Sequence, residues 1–215
     1  MGLLLPAFME RDRVLGSGGG RLLFRELPSA EVPRLKAFAE GQNADVDWLL
    51  NPERFIQDRH GDHCVVAETP AGGIAGFATC FRSLNVAGPS GGWTVEYCCV
   101  FQYGYLAPAY RGLGFGRQFV KLRMEALVRD LDRIAAHVMR HPKHSLEARF
   151  TMDGVVPATR ALASGARDRF VREVRKRFVG AEFSRAGAAE VQCMVPARAM
   201  LVASNPAAVD FLLAS

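Results

Sequence analysis

The chain has 215 residues, of which 49% are hydrophobic and 23% charged, and a formal net charge of +5. That length suits one domain, and the composition is that of an ordinary globular protein, which excludes the disordered and fibrous classes. No apolar run approaches the ~20 residues needed to cross a bilayer, so no membrane-spanning segment is expected.

The opening Met1-Gly2-Leu3-Leu4-Leu5-Pro6 is apolar, but no basic residue precedes it and Glu10, Arg11, Asp12 and Arg13 follow. It reads as a tail rather than a signal peptide. Ser17-Gly18-Gly19-Gly20 has the composition of a flexible linker, so residues 1–20 are expected as a tail and 21–215 as one domain. Arg21 to Leu27 reads as a first strand. A helix is expected from Pro28-Ser29-Ala30-Glu31 onward, with Val32, Leu35, Phe38 and Ala39 on its apolar face. A second short helix is expected through Asp47 to Asp58.

His63 to Glu68 and Ile74 to Arg82 read as the two strands of a hairpin, joined by the turn Thr69-Pro70-Ala71-Gly72-Gly73. A Gly-, Pro- and Ser-rich loop covers residues 85–92, and Trp93 to Leu106 reads as a long central strand. After Arg111-Gly112-Leu113-Gly114-Phe115-Gly116 comes an amphipathic helix, with Phe119, Leu122, Leu127, Leu131 and Ile134 on one face. Further on, a basic helix is expected near 158–179 and a strand near Val191 to Val195, with another strand at Met200 to Ala203 and a short helix from Asn205. Between Arg160 and Arg185 eight Lys or Arg residues stand against Asp168, Glu173 and Glu182, either as a solvated helix face or as a docking surface for an acidic partner.

Cys64, Cys80, Cys98, Cys99 and Cys193 include no CxxC pair, and four of them lie in apolar runs, which points to buried free thiols and a cytoplasmic setting. His137, His141 and His144 have spacing that could share a helix face, but Pro142 interrupts that helix and no Glu sits as in HExxH. Neither they nor His60 and His63 are expected to hold a metal. No cysteine has the setting of a covalent nucleophile.

The chemistry concentrates in Leu106 to Arg117. A strand runs into three glycines and then a helix, so the backbone can approach a ligand closely and the first helical turn offers free N–H groups to a pyrophosphate. A Rossmann loop has similar ingredients, but here the spacing is Arg-x-x-Gly-x-Gly in mid-chain, after a hairpin. The segment resembles the acyl-CoA-binding motif of the GNAT N-acyltransferase superfamily, with Arg111, Gly114 and Gly116 at the defining positions and Leu106-Ala107-Pro108-Ala109-Tyr110 as the lead-in.

That resemblance implies a mixed α/β GNAT fold, a central and mostly antiparallel sheet flanked by helices. It implies acetyl-CoA or another acyl-CoA as co-substrate and direct transfer of the acyl group to a small-molecule or peptide amine. The pyrophosphate would lie on the amides of Gly112, Leu113, Gly114, Phe115, Gly116 and Arg117, and the thioester arm along Leu106 and Ala107. Asn205 would contact the cofactor arm if Met200 to Ala208 is the family's late strand and helix, which makes residues 135–195 a helical insertion. The other assignment places the late strand at Ala148 to Met152 and its helix at 160–179. The family's usual strand Glu is replaced here by Val100, and Glu96 on the same strand lies ~30 Å from the thioester position at ~3.3 Å per residue. Tyr103 and Tyr105 flank the acyl position and are the candidate acids, while Glu40, Asp45 and Asp47 are candidate bases acting through water.

Two other functions remain open at this level. One is an acyltransferase that takes its donor from acyl carrier protein, docked on the basic 160–185 stretch. The other is a catalytically silent acyl-CoA-binding or interaction module. Nucleic acid is not expected as a partner, and a homodimer is compatible with the sequence.

Overall fold

The computed structural model describes residues 3–17, 20–42, 61–88, 93–152, 154, 157–186 and 189–197. In chain order these form β1 (Arg13–Ser17), β2 (Gly20–Glu26), α1 (Val32–Gly41), β3 (Gly61–Glu68), β4 (Ile74–Ala87), β5 (Trp93–Leu106), α2 (Phe115–Arg140), β6 (His144–Met152), α3 (Pro157–Arg175), β7 (Glu182–Ala186) and β8 (Glu190–Val195). The strands hydrogen-bond in the order β1-β2-β3-β4-β5-β6-β8-β7. The chain packs as two compact units, one of Ala7–Arg82 with Phe101–Ala126, the other of Met1–Pro6 with Ser83–Val100 and Leu127–Ser215.

In the first unit, β1–β2, β2–β3 and β3–β4 are antiparallel ladders. Leu22 and Phe24 of β2 alternate inward, as a half-buried strand requires. α1 buries Val32, Leu35 and Ala39 against Leu27, Cys64, Val66 and Phe77, with Phe38, Ile74, Tyr103 and Tyr105 at the margin. Full burial of a valine, leucine or phenylalanine side chain contributes about 1.5–3 kcal/mol. On the other side Phe24 meets Phe115 at 6.3 Å and Phe119 at 5.1 Å, which seats the start of α2. Burial raises the thiol pKa of Cys64 and leaves it inert.

A charged cluster pins α1 to this sheet. Arg25 donates to Glu68 at 3.0 and 2.9 Å and to Glu31 at 3.1 Å, and Arg34 donates to Glu68 at 2.6 Å. The bond from Arg25, partly opposed by burial, holds the carboxyls of both Glu31 and Glu68 below their ordinary range. The bond to Glu68 raises Arg25 further above its already high value.

The second unit is built on β6 and α3. β6 turns Leu146, Ala148, Phe150 and Met152 inward, and α3 turns Ala163, Ala166, Phe170 and Val174 toward them; Phe150 and Phe170 stack at 5.3 Å. The ladders β6–β8 and β8–β7 are antiparallel. Thr94 Oγ1 and Ser145 Oγ lie 2.9 Å apart and join the beginnings of β5 and β6, as in a parallel crossover through a helix. Tyr97 donates a 2.7 Å bond to buried Asp130. Burial pushes the Cys193 thiol up to about 12.

Two expectations about organisation differ from this arrangement. Residues 1–20 are not a detached tail: Arg13–Ser17 pairs with β2, Ser17 lies opposite Gly20, and Leu5 and Phe8 are buried. β1 and β2 form an antiparallel pair, and a glycine-rich sequence suits a hairpin as well as it suits a linker. Residues 135–195 are not a helical insertion, because they supply three strands of the sheet and the helix that covers them. Nor does α3 project into water; its apolar strip is buried on the sheet. Among the described residues no helix is long and apolar enough to cross a membrane.

Candidate active site

The candidate site lies wholly in the unit containing Phe101–Ala126. β4 and β5 approach very closely at its base. A Cβ on Gly76 would sit 2.6 Å from the Tyr105 carbonyl oxygen and 2.8 Å from Leu106 Cδ1, so only glycine fits there. Ala107 N–H donates to Ala75 O at 2.9 Å, and Tyr103 N–H donates to Thr79 Oγ1 at 3.0 Å. Backbone groups alternate along a strand, so the N–H and carbonyl of Leu106 face away from β4.

That outward edge is set by the motif arginine. Arg111 Nε donates a 2.8 Å bond to the Leu106 carbonyl, and its guanidinium lies 5.4 Å from the centre of the Tyr105 ring. After β5, Ala107 leads into a single 3-10 turn, Pro108–Tyr110. Gly112 and Gly114 then take φ of +75° and +85°, a left-handed conformation that glycine adopts without steric cost. Arg117 N–H bonds Gly114 O at 3.0 Å, the first closure at the entry to α2. Beyond that closure, the leading amides of a helix have no intrahelical acceptor, and they carry the positive end of the helix dipole. Gly112, Gly114 and Arg117 are exposed, Leu113 and Gly116 are half-buried, and Phe115 is a buried anchor.

The order of these elements is similar to that of the GNAT fold. The long strand, the glycine turn at the N-terminus of a helix, and the return into β6 beside β5 follow the order the motif implies. No protein-family model matches the chain, and no curated protein does. Among solved structures, a GNAT-family acetyltransferase from Listeria monocytogenes is similar at TM-score 0.35 and 10% identity, covering 85% of this chain and 98% of that one. An acetoin utilization protein from Exiguobacterium sibiricum is similar at TM-score 0.36 and 12% identity, covering 95% and 92%. A spermidine/spermine N-acetyltransferase from Vibrio cholerae is similar at TM-score 0.31 and 14% identity, covering 84% and 94%. Likeness at this level says nothing of substrate.

Around the glycine loop, the two tyrosines occupy different settings. Tyr105 is stacked on Phe77, meets Phe38 edge-on at 6.1 Å, and donates from its hydroxyl to Gln42 Oε1 at 3.3 Å. Tyr103 stacks on Phe77 at 5.7 Å, and its backbone is held to Thr79. The structure therefore brings Leu106, Arg111 and Tyr105 together and gives the last a hydrogen-bonded hydroxyl. The other expected carboxylates are not part of this grouping. Glu40 is exposed on α1, Glu96 is exposed on β5 and lines a small cavity with Ser83, Cys98 and Arg149, and Val100 is half-buried. Asp45, Asp47, Asn205 and the second helix expected at 47–58 lie outside the described residues.

Sequence reasoning missed Gly76 and Gln42. A lone glycine inside a strand pattern signals close backbone approach, so Gly76 was findable. Gln42 carries no sequence signal, since its role depends on the distance between the end of α1 and β5.

The three histidines do come together. His137 Nε2 and His144 Nδ1 are 3.1 Å apart, and the ring centres of His137, His141 and His144 lie 4.5–5.1 Å from one another. Among the described residues no group of three such side chains is arranged to hold a metal ion. Burial, followed by the neighbouring His141, lowers the pKa of His137 and of His144.

Proposed function

We propose that the protein is an acyl-CoA-dependent N-acyltransferase, acting by direct transfer from the thioester to an amine. The observation that carries this reading is the pair of left-handed glycines, Gly112 and Gly114, at the N-terminus of α2, immediately after the strand end whose Leu106 carbonyl Arg111 bonds. A pyrophosphate suits the leading amides of a helix, and the pantetheine arm suits the edge of β5 at Leu106 that faces away from β4. In the reaction, the neutral amine attacks the thioester carbon, a C–N bond forms and the C–S bond breaks. One proton leaves the amine and one reaches the departing thiolate. The Leu106 N–H is the donor placed to stabilise the oxyanion, and Tyr105 is the candidate acid for the thiolate, with Tyr103 the second candidate. The acetyl group is the simplest acyl group for this reading, and the acceptor class is a small-molecule or peptide amine.

Donation from acyl carrier protein is less favoured by the α3 surface. Arg177 is neutralised by Asp132 and Glu173, and Lys176 by Glu173, so part of the basic stretch is spent within the molecule. The decisive measurement is calorimetric binding of acetyl-CoA to Gly114→Glu beside Gly114→Ala. Both substitutions strain a backbone at φ +85°, but only Glu places a carboxylate against the pyrophosphate. The reading expects Glu to weaken binding at least tenfold more than Ala does. Equal affinity in the two variants overturns it.

A further inference from the structure

α3 and the β7–β8 hairpin enclose a pocket of about 200 Å³ at the outer end of the sheet, lined by Arg167, Asp168, Val171, Arg175, Phe183 and Arg185 among others. Residues 167, 168, 171 and 175 fall within about 100° of one another around a helix, so one face of α3 supplies them. Phe183 and Arg185 alternate onto one face of β7. We propose that this pocket is a binding site for a multivalent oxyanion, separate from the glycine loop.

Three observations carry the proposal. First, the pocket gathers three guanidiniums and one carboxylate, a local charge of +2, with Arg167 half-buried and Asp168, Arg175 and Arg185 exposed at its mouth. Second, among the described residues no carboxylate pairs with any of the three. Arg167 donates to the uncharged Met152 carbonyl at 2.7 Å, Arg175 lies 5.1 Å over the Phe183 ring, and the Arg185 side chain makes no hydrogen bond or ion pair among the described residues. The contrast with Arg177, a short step along the chain and bonded to both Asp132 and Glu173, is direct. Third, two of the guanidiniums are already oriented by neutral contacts, which leaves donors free and lowers the ordering cost of binding an anion. Val171, Phe183 and buried Val191 give the recess an apolar floor. The arrangement suits a compact group carrying two or more negative oxygens, whether phosphate or carboxylate, because guanidinium forks pair with both.

The test is calorimetry at low salt with two probes, inorganic pyrophosphate and citrate. The parent is expected to bind at least one of them; tighter pyrophosphate binding assigns a phosphate source and tighter citrate binding a carboxylate source. Arg175→Gln/Arg185→Gln is expected to weaken that binding about tenfold or more with an unchanged thermal melt. Asp168→Asn, which removes the single acid, is expected to tighten it a few-fold, and this variant keeps the question decidable if the double variant does not fold. Binding that survives the double variant unchanged, that is abolished by Gly114→Glu, or that is absent from the parent at millimolar probe overturns the proposal.

Discussion

Arg111 reaches back along the chain to donate a 2.8 Å hydrogen bond from Nε to the carbonyl oxygen of Leu106. The bond occupies the Leu106 carbonyl, and the Leu106 N–H lies on the same edge of β5. Arg111→Met removes the donor and the contact with the Tyr105 ring while keeping the aliphatic stem. Steady-state kinetics should show kcat/KM for acetyl transfer down about ten- to a hundredfold, a loss of ~1.4–2.7 kcal/mol, mostly in kcat. An unchanged kcat would show that the strand end holds its conformation without this arginine.

Tyr105 and Tyr103 separate by their hydroxyls. Tyr105→Phe deletes the group bonded to Gln42 but keeps the ring stack on Phe77, so stability should fall by no more than ~1 kcal/mol. If that hydroxyl protonates the leaving thiolate, kcat should fall about a hundredfold, and less for donors whose thiol has a lower pKa. Loss of kcat in Tyr103→Phe instead would move the role to Tyr103.

Gly76 leaves no room for a methyl group. Its Cβ would meet the Tyr105 carbonyl oxygen at 2.6 Å, a backbone atom that yields only if β5 shifts. Gly76→Ala should therefore cost about 1–3 kcal/mol in urea unfolding and displace Leu106 as well. Acetyl-CoA affinity should fall in the same variant. A neutral effect on both would mean that the strands separate easily here.

The histidine cluster makes stability depend on pH. His137 and His144 have pKa values lowered from 6.5 by burial and by His141, so the unfolded chain takes up protons before the folded one. Their neutral, packed form is fully favoured above pH 6.5, and stability is lost as pH falls below it toward the folded-state values. Thermal melts should thus drop between pH 7.5 and 5.5, and His137→Gln/His144→Gln should flatten that slope. The same slope in both proteins would assign the effect elsewhere. Glu31, Glu68 and Glu173, whose carboxyls are lowered from 4.5, contribute a separate loss only at more acidic pH.

The sequence by itself determined the elements whose signals are local. Trp93–Leu106 was readable as a strand from its aromatic and β-branched run, α1 from Val32, Leu35 and Ala39 at helical spacing, and the glycine turn before α2 from Arg111, Gly114 and Gly116. What needed tertiary structure was everything set by long-range pairing. Ser17-Gly18-Gly19-Gly20 suits a linker or a hairpin equally, and only the ladder of Arg13 to Phe24 decides between them. The basic helix at 157–175 carries too narrow an apolar strip to declare itself buried, and it becomes a sheet-covering helix because Phe150 on β6 meets Phe170. Likewise, no local pattern could place the Tyr105 hydroxyl on Gln42 or the Arg111 side chain on Leu106. Local sequence governs backbone preference, whereas the partner of a side chain depends on which distant strand the core brings alongside.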